Sequence, residues 1–509
     1  MLSNKQQFFY NLLANYGLTI ISSILAFVSV PIALNYWGAE VYGIWTILMS
    51  FSTYIMASGL GIDVSTCLLM TKNSDIGVKI SIFKKGIKIL LICSSIILIL
   101  AIFITLCFPD WFKIIGKMDE SNYKSAKISA IIFIIGIIIN LPLSGIANTL
   151  ASFGKAYLNS GISIFQVIFN FLLIVLTPII QLSLPLYVFF YTCITILCSL
   201  SKDFVVFLCI RNAKNNALNT NFNGINHVPD NSYKAILRMG VNLSLQGFAS
   251  MIVPNISNLV ISNNIDVKAI VPYSLSYKLY SIMCTFVSHS NNAIGPILGD
   301  KYGKNEWNWL ETNYKRMFKI TVPLAIFVVL GVIWGSRPFV CLWTGSLDNY
   351  AGSVISILLG LYFLNSCMNN LNIVITNSFN YTNKLWLISW SEGAIFLVTS
   401  IFLTKKIGVV GVPLSLCLGA YLVSSWAYPY VIYKRTQKRF LYDFKYFVKN
   451  LLVLFTSLIA FVFISNFKLG FYYSTLFEIV GMIFTTIALF LILPKEIKNV
   501  LCSKFRRNK

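Results

Sequence analysis

Long apolar blocks alternate with short polar connections along the whole chain. About fourteen apolar stretches, each near the twenty residues that a helix needs to cross the hydrocarbon core, run from Tyr10 to Leu493. The pattern predicts an all-α polytopic membrane protein. We place the spans near residues 11–34, 41–62, 87–108, 128–150, 161–182, 186–210, 239–262, 271–297, 320–343, 353–377, 385–403, 411–432, 449–466 and 473–493.

Composition supports this interpretation. The 509 residues are 57% hydrophobic and only 11% charged, which excludes an ordinary soluble protein. No small-residue cleavage site follows the first apolar stretch, so we expect that helix to stay as an anchor. The eleven cysteines form no CxxC pair, and we interpret them as packing residues.

The formal net charge of +23 is distributed unevenly. Most lysines and arginines lie in every second connection and in the two tails. By the positive-inside rule these segments face the cytoplasm, so both termini are predicted to be cytoplasmic. We expect membrane lipids as partners, through anionic headgroups, and no nucleic acid, because no recognition module accompanies the basic segments.

The connections are short, and this limits the functional classes. No connection on the outer side of the membrane exceeds roughly twenty residues, so a catalytic domain has no room there and we expect no enzyme activity. The longest polar interruption lies near the middle and predicts a linker between two bundles. The predicted domains are an N-terminal six-helix lobe at 1–215, a cytoplasmic linker at 216–237, a C-terminal six-helix lobe at 238–440, and an extra helix pair with a basic tail at 441–509.

A weak internal repeat supports two lobes. The polar turn at 35–43 has a counterpart at 263–270, and each follows a span that contains a proline, Pro31 in one and Pro254 in the other. Since each half holds an even number of helices, the two copies point the same way. A cleft between such halves is the natural transport route.

Several short patterns resemble a known family. They are Ala-Asn-Tyr-Gly at 14–17, then Pro31, Tyr-Trp-Gly-Ala-Glu-Val-Tyr-Gly-Ile-Trp at 36–45, Gly-Leu-Gly-Ile at 59–62, and Tyr-Ser-Leu-Ser-Tyr-Lys-Leu at 273–279. With the span order and loop lengths, they resemble the O-antigen type of oligosaccharide and polysaccharide flippases, in the multidrug/oligosaccharidyl-lipid/polysaccharide exporter (MOP) superfamily.

The resemblance implies a fold and a function. It implies two six-helix lobes in a V-shaped arrangement with an added C-terminal helix pair. It also implies alternating access that moves an undecaprenyl-pyrophosphate-linked oligosaccharide to the outer leaflet of the bacterial inner membrane. The oligosaccharide would be an O-antigen or capsule repeat unit. Polysaccharide polymerase and chain-length proteins are expected partners. Asp63 departs from the family pattern, because an uncharged residue is expected after Gly-Leu-Gly-Ile.

Polar side chains recur at helical spacing inside several spans. A water-filled cleft needs such stripes, and sugar hydroxyls bind amides well, so we predict a substrate cavity. The alternative is that these side chains join helices by hydrogen bonds. The predicted cavity residues are Lys278, Thr285, His289 and Asn292 in span eight, Asn365, Asn369 and Asn372 in span ten, Asn15 in span one, and Arg238, Asn242 and Gln246 in span seven.

Ionisable residues inside spans give a sharper hypothesis, because each costs a few kcal/mol at the bilayer centre. Lys278 lies about two turns inside span eight, where a cation would hold a pyrophosphate or an acidic sugar. The alternative for Lys278 is snorkelling to the outer headgroups or pairing with an acid, and the alternative for Arg238 is an ordinary cytoplasmic flank. Asp203, Glu392 and Glu478 are candidates for coupling to a proton or sodium gradient, or for bridges to basic residues. No cofactor and no metal site is expected.

Three other functions stay open at this point. A cation-coupled multidrug exporter of the same superfamily would favour an aromatic and acidic lining. A membrane glycosyltransferase or polymerase would need the external loop that this chain lacks. A lipid II flippase would carry several cavity arginines, and arginine is scarce inside the spans.

Overall fold

Helices account for nearly all of the structure. The computed structural model describes residues 4–72, 75–108, 118–218, 232–292, 294–379, 385–436, 444–466 and 471–492, and none of these lies in a strand. The helices are α1 Asn4–Ala57, α2 Ile62–Lys72, α3 Ile76–Cys107, α4 Glu120–Asn148, α5 Ala156–Ile180, α6 Leu184–Leu218, α7 Tyr233–Asn264, α8 Ile270–Asn292, α9 Gly295–Gly303, α10 Trp307–Thr344, α11 Ser353–Ser378, α12 Trp386–Ile407, α13 Gly411–Gly419, α14 Ser425–Arg435, α15 Phe444–Asn466 and α16 Phe471–Ile492.

The helices coincide with the predicted spans, which confirms an all-α polytopic membrane protein. Within the described residues, nine helical segments are long and apolar enough to cross a bilayer. Two of them, Leu13–Ala57 and Trp386–Arg435, each cover most of two predicted spans. The short helices α2 and α9 begin within the ends of predicted spans and lie mostly beyond them.

Helix α1 is two helices that meet at a kink. Gly38 has a φ of 73°, a region that favours glycine, and it separates the first predicted span from the second. A second break follows at residues 58–61, where Leu60 and Gly61 both have positive φ. At this break a Cβ atom on Gly61 would lie 2.9 Å from the carbonyl oxygen of Gly240 in α7, so the turn requires a glycine.

The first compact unit extends from Met1 to Lys268. In it α4 packs mainly on α6, and α1 mainly on α5. An aromatic cluster fills its core around Trp45, whose ring centroid lies 5.2 Å from that of Tyr187, 5.0 Å from that of Tyr191 and 5.8 Å from that of Phe133. These edge-to-face contacts fix the second half of α1 against α4 and α6.

The second compact unit extends from Ala269 to Lys509. Its central helix is α10, which packs on α8, α11, α15 and α16. Trp334 of α10 is 1% exposed, and its Nε1 donates a hydrogen bond to Ser457 Oγ of α15 over 2.9 Å. The C-terminal helix pair therefore docks on the core of this unit through a buried tryptophan.

The division between the units falls later than the predicted lobe boundary. Helix α7 packs on α1 and α2 of the first unit, whereas the predicted C-terminal lobe begins at residue 238. Most of the predicted linker at 216–237 and the basic tail after residue 492 lie outside the described residues. The predicted lobe boundaries therefore stay a prediction.

Candidate functional site

A buried hydrogen bond joins α11 to the helical segment around Ser424 in the second unit. Asn365 of α11 donates from Nδ2 to Ser424 Oγ over 3.1 Å, and both residues are buried, at 7% and 1% exposure. The Ser424 hydroxyl in turn donates to the Ala420 carbonyl oxygen of its own helix over 3.1 Å. Glu392 of α12 packs on the same segment, because its Cγ would lie 3.4 Å from a Cβ atom on Gly419. The predicted cavity residue Asn365 and the predicted coupling residue Glu392 thus both contact one helical segment.

Ser424 occupies a short break in helical geometry. It ends a π-helical segment, Ala420–Ser424, between α13 and α14. Such one-turn π segments are frequent at functional sites, because they re-aim side chains and loosen the backbone hydrogen-bond ladder. The break lies against α12, since a Cβ atom on Gly419 would be 2.8 Å from the Glu392 carbonyl oxygen. Neither this break nor Ser424 is predicted from the sequence.

Hydrogen bonds attach this broken helix to α11 at regular intervals. Cys417 donates to the Leu358 carbonyl oxygen over 3.0 Å, and the Tyr421 hydroxyl donates to that of Leu361 over 2.9 Å. The bond from Asn365 to Ser424 comes one turn further along. These bonds hold the broken helix on α11, and Glu392 of α12 packs against its Gly419. A carboxylate beside hydroxyl groups suits a proton or a small cation.

The polar stripe of α8 is only partly engaged in packing. Lys278 is half-buried, and the Thr285 hydroxyl donates to the Ser281 carbonyl oxygen of its own helix over 2.7 Å. His289 is half-buried and Asn292 is exposed. Their side chains remain predicted cavity residues.

The neighbouring Asn291, which sequence reasoning missed, makes the interhelical contacts instead. Its Nδ2 lies 3.3 Å from Asn370 Oδ1 of α11, and its Oδ1 accepts from Thr321 of α10 over 2.8 Å. Asn369 and Asn372 of α11 are buried, at 6% and 2% exposure. Some asparagine side chains of α8 and α11 therefore join neighbouring helices. The cavity role of Asn369 and Asn372 stays a prediction.

Asn15 in the first unit makes a contact between helices. Its Oδ1 accepts a hydrogen bond from Ser160 of α5 over 2.5 Å. One turn earlier Asn11, which was not predicted, accepts from the Tyr157 N–H over 2.7 Å. These bonds are the helix-joining alternative that the sequence left open. Arg238 is exposed at the start of α7, and the side chains of Asn242 and Gln246 lie outside the described residues.

The two other predicted coupling acids have different surroundings. Asp203 of α6 has both carboxylate oxygens buried, with no hydrogen-bond partner among the described residues, while the adjacent Lys202 donates to Ser163 of α5 over 2.8 Å. Glu478 of α16 lies 3.9 Å from Arg337 of α10. Glu478 thus has the basic partner that the alternative interpretation expected.

Comparison with known proteins gives related sequences over part of the chain. No family model matches. A "Putative O-antigen transporter" of Salmonella typhi is 24% identical over 208 residues, which are 40% of this chain and 48% of that protein. A protein of the same name from Salmonella typhimurium strain LT2 is 23% identical over 207 residues, 39% of this chain and 46% of that protein. The chain thus matches about half the length of each relative.

Solved structures match almost the whole chain. A lipid II flippase, MurJ, in an inward closed conformation aligns with a TM-score of 0.66 and 14% identity over 94% of this chain and 97% of its own. An inward-facing multidrug resistance MATE transporter of the MOP superfamily aligns with a TM-score of 0.59 and 17% identity over 83% of this chain and 94% of its own.

These matches show first the fold, which is shared with a lipid II flippase and with a multidrug transporter of the MOP superfamily. Beyond the fold, the sequence is similar to O-antigen transporters over part of its length. The resemblance predicted from the sequence patterns is therefore confirmed.

Proposed function

We propose that this protein is a flippase that moves an undecaprenyl-pyrophosphate-linked oligosaccharide from the cytoplasmic to the outer leaflet of the bacterial inner membrane by alternating access. The MOP-type fold supports a transporter, and the partial similarity to O-antigen transporters supports the substrate class. Both termini are cytoplasmic in this proposal, and polysaccharide polymerase and chain-length proteins take over the product.

Lys278 is the proposed anion contact. Lys278 is half-buried on the polar stripe of a membrane helix, and a pyrophosphate provides two negative centres that an ammonium group can bind. In the proposed cycle the sugar and the pyrophosphate enter a polar cleft lined by the α8 and α11 side chains. The isoprenoid chain stays in the lipid, and the change of access state then exposes the headgroup on the outer side.

Energy coupling is proposed for Glu392, with Ser424 on the helical segment beside it and Asn365 bonded to that serine. The observation that carries the proposal is the packing of Glu392 against a π-helical break, in a fold shared with solved transporters. Binding of a proton or a sodium ion to the carboxylate changes the net charge of this site. The π-helical break allows the helix to respond by a change of geometry.

The sidedness of the lipid-linked oligosaccharide in a strain without this protein tests the function. We expect complete repeat units on the cytoplasmic face of sealed vesicles, protected from an impermeant glycan-modifying probe. The variant Lys278→Ala should reproduce this defect with normal protein abundance. Lys315→Ala is the matched control, since Lys315 is exposed and pairs with Glu311 on its own helix. Repeat units that accumulate on the outer face would instead indicate a defect in polymerisation.

A cation-coupled multidrug exporter is the second candidate, because a multidrug transporter shares the fold. Drug susceptibility separates the two functions. A strain without an exporter becomes sensitive to cationic drugs and keeps its surface polysaccharide, whereas a strain without the flippase loses polysaccharide at unchanged susceptibility.

A further inference from the structure

The segment between α7 and α8 is the place where the chain passes from one compact unit to the other. Residues 265–268 follow α7, and the division between the units falls between Lys268 and Ala269. Because the backbone links the two units here, any movement of one unit relative to the other must be accommodated at this connection. Two independent contacts, one steric and one electrostatic, attach residues 267 and 268 to α1 in the first unit.

The steric contact is made by Gly43 in the second half of α1. A Cβ atom on Gly43 would lie 2.5 Å from the carbonyl oxygen of Val267 and 2.8 Å from its Cγ1. Val267 is 1% exposed. Only a glycine permits this close approach, and the packed contact buries Val267 against α1.

The electrostatic contact is made by Glu40, one turn before Gly43. Its Oε1 accepts the Asp119 N–H over 2.7 Å, and its Oε2 lies 3.4 Å from Lys268 Nζ. Lys268 Nζ also lies 3.1 Å from Asp119 Oδ2. The side chain of Glu40 is 9% exposed, whereas that of Lys268 is 55% exposed. Lys268 therefore neutralises a buried carboxylate, which would be costly without a cation.

We propose that Glu40, Gly43, Asp119, Val267 and Lys268 form a junction clasp that holds the end of α7 on the first unit throughout the transport cycle. The bend between access states then falls after Lys268. All five residues belong to one compact unit, so the contacts need not open when the units move. Glu40 and Lys268 are thus positioning residues and do not contact the substrate. The inference rests on the proposed function, because it assumes alternating access.

A stability cycle on the purified protein tests the ion pair without any substrate. E40Q keeps an oxygen that accepts the Asp119 N–H and removes the charge, and K268M removes the cation at similar side-chain length. We expect K268M to lower the unfolding temperature, because it leaves the Glu40 carboxylate buried without a cation. Adding E40Q to K268M should raise the temperature again. Additive losses in the double variant would overturn the clasp, because they would show that the two side chains act independently.

A chemical crosslink distinguishes a permanent clasp from a gate. In a transport-competent background without the eleven native cysteines, E40C/K268C loses the ion pair, and we expect reduced surface polysaccharide. A bismaleimide bridge between the two thiols should restore it, because a covalent link replaces the pair. Arrest of transport by the bridge, or full transport without it, would overturn the proposal. If the parent protein moves no lipid-linked oligosaccharide, the proposed function fails, whereas the stability cycle still decides whether the clasp exists.

Discussion

Asn365 donates a hydrogen bond from its side-chain amide to the hydroxyl of Ser424 over 3.1 Å, across the packed surfaces of α11 and the broken helix. The Ser424 hydroxyl in turn donates to the Ala420 carbonyl oxygen of its own helix over 3.1 Å. One serine therefore joins α11 to the helical segment against which Glu392 packs. Because the Asn365 amide depends on this hydroxyl, its removal tests the site directly.

Replacement of Ser424 by alanine should impair transport and stability together. Loss of the hydroxyl leaves the buried Asn365 amide without this partner, which costs about 1–3 kcal/mol. We expect a lower unfolding temperature and less surface polysaccharide for S424A. S425A is the control, because the Ser425 hydroxyl only donates to the Tyr421 carbonyl oxygen of its own helix over 2.8 Å. Equal behaviour of S424A and S425A would remove Ser424 from the site.

The Asp203→Asn variant should be more stable than the parent protein. Both carboxylate oxygens of Asp203 are buried without a hydrogen-bond partner in the described part of the chain, and an amide avoids the cost of a buried charge. We expect a higher unfolding temperature, measured in detergent or nanodiscs. D348N at an exposed turn should change stability by less than about 0.5 kcal/mol.

Transport by D203N decides the predicted coupling role of Asp203. A stabilised variant that no longer moves the lipid-linked oligosaccharide would identify Asp203 as a coupling residue. The protein would then keep this carboxylate for function although its burial lowers stability. A stabilised and fully active variant would show that the coupling role is wrong. A destabilised D203N would contradict the physical argument, since it would mean that the carboxylate has favourable interactions.

The sequence predicts the positions of the spans and of the ionisable residues inside them, but not the residues that these side chains contact. Apolar blocks of about twenty residues fix span positions because the bilayer sets their length, and a buried charge is conspicuous in such blocks, as for Lys278 and Glu392. Ser424 was missed because serine is common in membrane helices, and a π-helical break has no short sequence signal. Asn291 was missed because a one-residue shift on a helix selects another face.

Gly481 should be required for docking of the C-terminal helix pair. A Cβ atom on Gly481 would lie 2.6 Å from two ring carbons of Trp334, whose ring is buried in the second unit. G481A gains up to about 1 kcal/mol of helix propensity but loses about 1–3 kcal/mol through overpacking. We expect a net loss of stability in thermal unfolding.

Gly331 of α10 provides the matched control for Gly481. A Cβ atom there would meet nothing within 4 Å, so G331A should be neutral or slightly stabilising. Equal stability of G481A and G331A would show that α16 adjusts its position without cost.

The junction clasp should lose strength at low pH. Hydrogen bonding with Glu40 and Lys268, together with the charge of Lys268, lowers the pKa of Asp119 below its ordinary value of 3.8. A carboxyl group with a lowered pKa in the folded state contributes stability that is present above pH 3.8 and is lost as the pH falls through the lower folded value. The hydrogen bond to Asp119 and the charge of Asp119 raise the pKa of Lys268 above 10.5, so its contribution is present below that pH.

The difference in unfolding temperature between the parent protein and K268M measures this dependence. We expect the difference to be constant near neutral pH and to shrink below about pH 4, because a protonated Asp119 no longer attracts Lys268. K315M is the control, since Lys315 pairs with Glu311 on one exposed helix face over 2.7 Å and such pairs contribute little. A difference that persists unchanged well below pH 3.8 would show that Lys268 stabilises the junction through packing of its side chain, without the Asp119 charge.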